Sequence, residues 1–157
     1  MSTNEDDWNW EDFKDDIFKI MVIGPSGVGK TQMVQCYVNR KRTLDPENTP
    51  STETIQCEVE DTRVDSTLKY VQVFDTSGAR EEDTDTVAAS YYSAMNAFIF
   101  VFNLTESART LEELTGTWIP EVKAKANVHA KFALIGNKVD REDAEVDYDK
   151  AIKFAEV

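Results

Sequence analysis

Gly24-Pro25-Ser26-Gly27-Val28-Gly29-Lys30-Thr31 satisfies the spacing G-x-x-x-x-G-K-[ST]. Glycines at that spacing let successive backbone N–H groups curl around phosphate oxygens, and a helix starting at the end of the loop adds its positive dipole. The Lys30 ammonium reaches the terminal phosphates, and the Thr31 hydroxyl is a hard oxygen donor suited to Mg²⁺. Gly24, Ser26, Gly27, Val28, Gly29, Lys30, Thr31 and Gln32 are therefore the candidate phosphate-binding residues. Lys30 is also a candidate for stabilising charge during phosphoryl transfer.

Nucleoside kinases, ATPases and GTPases share such a loop, so it does not choose a base. Asn137-Lys138-Val139-Asp140 does. It follows the apolar run FALIG, and ligand loops lie at the carboxyl ends of parallel strands. The Asp140 carboxylate can accept from two adjacent N–H groups on the guanine edge, where adenine would present an acceptor and be rejected. Asn137 can brace neighbouring loops, and the Lys138 stem can lie over the purine face. A third group, Asp75-Thr76-Ser77-Gly78, ends another strand-like run. Its carboxylate can hold a metal ion directly or through water, and the Gly78 N–H can meet a terminal phosphate. The same four residues are also ordinary turn chemistry.

The elements that must position these groups can be read from periodicity. IFKIMVI at 17–23 reads as a strand, and residues 28–40 read as a helix, so the glycine-rich turn sits between strand and helix. Residues 41–54, rich in Pro, Asp, Asn and Thr, form a long loop. Alternation at Ile55, Cys57 and Val59 and the run 68–74 read as a hairpin, with turn chemistry at 61–67. A charged loop at 75–85 and a short helix ending at Tyr92 follow, then a buried strand at 97–103, a helix at 108–125 and a buried strand at 131–135. Tyr148, Ala151, Ile152 and Ala155 recur at helical spacing. Alternating strands and helices imply a mainly parallel sheet covered on both faces.

Composition narrows the function classes. The 157 residues suit one domain, with 17 basic against 30 acidic side chains and a net charge of -13. That balance repels nucleic-acid backbones and anionic membranes, so no nucleic-acid partner is expected. Cys36 and Cys57 lack further ligands at metal-site spacing, and the longest apolar run is six residues, Ala97 to Phe102. The expectation is a cytoplasmic protein with no membrane anchor of its own, reaching membranes only through a partner. Residues 1–16, with seven carboxylates around Trp8, Trp10 and Phe13, read as a flexible acidic arm ahead of a domain at 17–157.

IFKIMVIGPSGVGKT, VQVFDTSG, SYYSAMNAFIFVFNLT and FALIGNKVD occur in one order over about residues 17–156. In that order they resemble the Ras superfamily of small GTPases, nearest the Rab branch. The resemblance implies an α/β fold: a P-loop NTPase of three α/β/α layers, with a mainly parallel sheet and one antiparallel edge hairpin. It implies GTP/GDP and Mg²⁺ as ligands. It also implies a molecular switch of the vesicle-trafficking and signalling kind, whose loops at 41–54 and 75–85 order around the γ-phosphate and engage effectors and regulators. The family's first-switch metal ligand is a threonine. Thr52 fits by its distance from Asp75, with Thr49 and Thr54 open alternatives, so Thr31, Thr52 and Asp75 form the expected metal set.

Three departures qualify the resemblance. Ala79 stands where the family has a water-orienting glutamine, and a methyl group neither donates nor accepts, so intrinsic hydrolysis should be slow. Arg80 beside it is a candidate for transition-state charge; its bland alternative is a solvated pairing with Glu81 or Glu82. No aromatic residue between Val38 and Cys57 is present to stack on the base. The sequence stops at Val157, before the family's sixth strand, base-contact loop and final helix, so the expectation is a fragment, a domain completed by a partner, or a sheet edge that invites self-association. The main rival is a pseudo-GTPase interaction module holding nucleotide structurally or not at all. A nucleotide kinase would need an arginine-rich lid, and beyond residue 80 only Arg109 and Arg141 are present.

Overall fold

The computed structural model describes residues 16–40, 55–76, 78, 85–145 and 148–155. Five strands form one sheet: β1 (Ile17–Ile23), β2 (Gln56–Val64), β3 (Thr67–Asp75), β4 (Ala97–Asn103) and β5 (Lys131–Asn137), in the order β2-β3-β1-β4-β5. β1 pairs in parallel with both β3 and β4, β5 is parallel to β4, and among the described residues only the β2–β3 pair is antiparallel. The α/β architecture with an antiparallel edge hairpin is as the sequence leads one to expect. All of the acidic arm at 1–16 but Asp16, the loop at 41–54 and most of the loop at 75–85 lie outside the described residues.

Two apolar clusters hold the layers together. On one face Met21, Ile23, Phe74, Phe98, Phe100 and Phe102 pack beneath α2 (Asp85–Ala94), α3 (Ser107–Glu113) and α4 (Ile119–Lys125), which contribute Tyr92, Leu111 and Val122, and beneath the turn 114–118 that joins α3 to α4, which contributes Leu114 and Trp118. On the other face Val22, Val73 and Val101 pack with Val28 and Val34, the latter on α1 (Lys30–Val38). The alternation along β1 and β4 sends successive side chains to opposite clusters, which is why these central strands read as unbroken apolar runs. Among the described residues, no helix is long and apolar enough to cross a membrane.

Two details differ from expectation. β2 runs on to Val64, and the hairpin closes through only Asp65 and Ser66, at φ 49° and 67°. Both central residues at positive φ make the tight turn whose twist suits antiparallel strands. The polar residues Glu60 to Arg63 stay in the strand because β2 is an edge that meets solvent.

The expected helix at 108–125 is interrupted by a π-helical turn, Leu114–Trp118, where the Ile119 N–H reaches Leu114 O. Pro120 has no N–H for the carbonyl four residues back and would crowd it. The wider turn takes the chain past the proline without breaking the helix.

Candidate functional site

β1, β3, β4 and β5 are parallel, so their carboxyl ends lie along one rim of the sheet, and every motif read from the sequence falls on that rim. β1 ends at Ile23, and the phosphate loop turns away into α1. Gly27 and Gly29 adopt φ 76° and 95°, backbone that side chains rarely tolerate, and Gly29 caps α1 with no side-chain bond to its first amides. The N–H groups at the start of α1 therefore face the loop, as an anion-binding turn requires. Gly24 has another constraint: a Cβ there would lie 2.2 Å from Val101 O, so the loop sits flush on β4.

Lys30 is only 5% exposed. Its ammonium donates to Gly24 O at 2.8 Å and Pro25 O at 2.9 Å, folding back over the loop that precedes it. Burial pushes its pKa from 10.5 down to about 8, and the Asp75 and Glu113 carboxylates oppose that shift. A buried cation hydrogen-bonded to neutral carbonyls is poised to exchange them for phosphate oxygens, which carry charge.

Asp75, 2% exposed, ends β3 opposite Val22. Thr76 beside it donates to Val22 O at 2.7 Å, pinning this strand end to β1 where the phosphate loop begins. Gly78 approaches the loop closely: a Cβ there would sit 2.4 Å from Ser26 N and Cα. The second motif is thus packed against the first. Thr31 and Gln32 lie in the first turn of α1.

β5 delivers the third motif. Asn137 Nδ2 donates to Val28 O at 2.8 Å, and a Cβ on Gly29 would come within 2.4 Å of the same nitrogen. Asn137 thereby ties the β5 end to the phosphate loop. Lys138 adopts φ 67° and its carbonyl accepts from Arg141 N at 3.2 Å, making a turn that leaves Val139 and Asp140 exposed. Arg141 Nε donates to Asp143 at 3.2 Å, holding that carboxyl below its usual range, and Glu145 N donates to Leu104 O at 3.0 Å.

Gly24, Ser26, Gly27, Val28, Gly29, Lys30, Thr31, Gln32, Asp75, Gly78, Asn137, Lys138 and Asp140 all fall on this rim. Thr52, Ala79 and Arg80 lie outside the described residues. Sequence reasoning gave Thr76 no role of its own, although a hydroxyl beside a strand-end carboxylate is the signal for such a tether. It also missed Asn103, at the end of β4, whose N–H bonds Thr110 Oγ1 at 3.1 Å and whose side chain accepts from Thr105 N at 3.0 Å. That pair fixes the β4 end facing Asn137.

The site's chemistry suits a nucleotide with a metal ion. Glycines clear a backbone-lined turn, Lys30 supplies a buried cation, and Thr31 and Asp75 supply hard oxygen donors of the kind Mg²⁺ takes. Fold and site together define a phosphate-loop domain of the three-layer α/β/α class. The sequence matches the Ras family over residues 19–157. It is 30% identical to Ras-related protein Rab-1 of Theileria annulata over 132 residues, 84% of this chain and 57% of that protein. It is 32% identical to Ras-related protein Rab-30 of Homo sapiens over 149 residues, 93% of this chain and 68% of the relative. Ras-related protein Rab-7b of Paramecium octaurelia is 28% identical over 130 residues, 82% and 61%. The chain thus spans a little over half to two thirds of the length of these curated relatives. It belongs to the Ras family and is a Rab-like small GTPase domain.

Proposed function

We propose that this chain binds GTP and GDP as a molecular switch and hydrolyses GTP slowly when unaided. The observation that carries the reading is the Asn137 Nδ2 bond to Val28 O, at 2.8 Å. It joins the guanine-type motif to the phosphate loop, so one nucleotide can span both.

In this reading Lys30 leaves the Gly24 and Pro25 carbonyls and takes the β- and γ-phosphate oxygens. The N–H groups of residues 27–32 line the phosphates, and the Gly78 N–H meets the γ-phosphate. Asp140 accepts from the guanine edge while the Lys138 stem covers one face of the ring. Thr31, Asp75 and Thr52 are the residues that would hold Mg²⁺, which would neutralise charge between the two terminal phosphates. Hydrolysis is in-line attack of water on the γ-phosphate, with Lys30 and the loop amides stabilising the charge that develops. Ala79 offers no group to orient that water, so turnover depends on a helper protein or on Arg80. In this reading the loops at 41–54 and 75–85 are the surfaces for effectors and regulators, and Rab-like membership supports a role in trafficking.

The test is chromatographic identification of the nucleotide released on denaturing the purified protein, beside single-turnover hydrolysis of added GTP with Mg²⁺. Recovered GDP or GTP with hydrolysis near background is the expected result. Absence of nucleotide, with no guanine binding on titration, would leave an interaction module on a GTPase scaffold.

A further inference from the structure

The two faces of the sheet are covered unequally. On the face opposite α1, three helices and the turn 114–118 lie over the strands. On the α1 face, among the described residues, α1 is the only helix that contributes to the apolar cluster, through Met33, Val34 and Val38. α1 lies mainly over β3 and β2. Phe18 and Ile20 of β1 share this face with Val22, and the pairs Ile20↔Ala97, Val22↔Ile99 and Ile99↔Ala133 carry it onto β4 and β5. Phe18 is 43% exposed, Ala133 is exposed, and Ile20 and Ile99 are half-buried. Soluble proteins rarely leave a large contiguous apolar surface uncovered.

Three observations point to the residues ahead of β1 as its cover. The first is where they enter. Lys69 alternates with Val71 and Val73 on the α1 face, and its ammonium is paired with the Asp16 carboxylate. The last residue before β1 is thus tied down on the open face, two positions from Phe18. The second is reach. Trp8 is eight residues from Asp16. That length spans up to about 28 Å when extended, whereas β4 and β5 lie about 5 and 10 Å to the side of β1. The third is composition. Trp8, Trp10 and Phe13 can each bury roughly 150–250 Å². The carboxylates set among them complement Lys131, exposed on the open face beside Ala97. A second copy of the chain fits poorly, because each molecule carries a net charge of -13.

We propose that residues 1–15 fold back over the open part of the α1 face. Trp8, Trp10 and Phe13 lie against Phe18, Ile20, Ile99 and Ala133, and the carboxylates face Lys131 and water. The acidic arm is then an internal cover for the sheet. It enters from the end of the strands opposite the nucleotide rim and leaves that rim free.

The whole chain labelled with fluorotryptophan tests this, because Trp8, Trp10 and Trp118 are its three tryptophans and fluorine NMR reads each separately. Line broadening by a soluble nitroxide measures exposure, with a free peptide of residues 1–16 as the exposed reference. Trp118, 7% exposed, reports that each variant keeps its fold. A docked state about tenfold more populated than the free one should leave Trp8 and Trp10 about tenfold less broadened than in the peptide. Ala133→Glu, at an exposed site, should restore peptide-like broadening, whereas Val128→Glu, at a position 92% exposed and outside the face, should not. Lys131→Glu should cost no more than about fivefold, the range of an exposed ion pair. Trp8 and Trp10 as exposed as in the peptide would overturn the proposal. So would shielding that survives Ala133→Glu, a larger loss with Lys131→Glu than with Ala133→Glu, or shielding that grows with protein concentration, the mark of a second copy.

Discussion

The two ends of the nucleotide site are built differently. At the phosphate end Lys30, Asp75 and Thr76 are buried, Gly24 sits on β4, and Gly78 abuts Ser26. At the base end Asp140 is exposed and Val139 is 72% exposed, on a turn that reaches the rest of the site through Asn137. Groups buried in low dielectric act strongly on charge, whereas an exposed carboxylate competes with water for the same partners. The phosphate end should therefore supply most of the affinity, and the base end most of the choice between nucleotides.

Lys30→Met is the sharpest way to break that comparison. It removes the charged donor from the phosphates and should weaken GDP binding about a hundredfold by titration calorimetry. The same change removes a buried cation that costs free energy in the ligand-free fold, so the melting temperature without nucleotide should hold or rise.

Titration of Lys30 should have two opposite consequences. Between pH 8 and 10.5 the unfolded chain keeps a proton that the folded chain has released, so ligand-free stability rises with pH across that window. Phosphate favours the charged form, so nucleotide affinity should fall above about pH 8, by up to about tenfold per unit. Affinity measured from pH 7 to 9.5 checks the sign, and a flat profile would mean that Lys30 keeps its ordinary pKa.

Gly78→Ala comes next. Its methyl must displace the Ser26 backbone, an overpacking cost of roughly 1–3 kcal/mol if the contact is kept. The motif can instead swing away from the loop. Either response should show as a lower melting temperature or as loss of any difference between the GDP and GTP states in hydrogen exchange.

Asn137→Ala should have the smallest effect, about 1 kcal/mol, by cutting the bond to Val28 O. Because that bond joins the two ends, the loss should fall on guanine nucleotides and spare inorganic triphosphate.

Much of this was legible beforehand, for physical reasons. The phosphate loop announces itself because its glycines and lysine have few substitutes, and the central strands because burial on both faces leaves unbroken apolar runs. The extent of β2 was hidden, since an edge strand needs no apolar pattern on either face and its turn used Asp65 and Ser66 where glycine would have been the signal. The π turn was hidden because helical spacing runs through Pro120 to 125 without a break, and spacing does not show how the backbone widens to pass a proline. Thr76 acts through the backbone carbonyl of Val22, distant in sequence, which spacing alone does not reveal, whereas Asn103 acts locally through Thr105 and Thr110.

Competition between GDP and ADP for the purified protein at equilibrium, with Mg²⁺ present, tests the central claim most directly. The proposed acceptance by Asp140 of two guanine N–H groups, with none to accept on adenine, predicts a preference for GDP of at least about a hundredfold. Equal affinity for the two would show that the 137–140 turn does not read the base, and would contradict assignment of this rim as a guanine-nucleotide site.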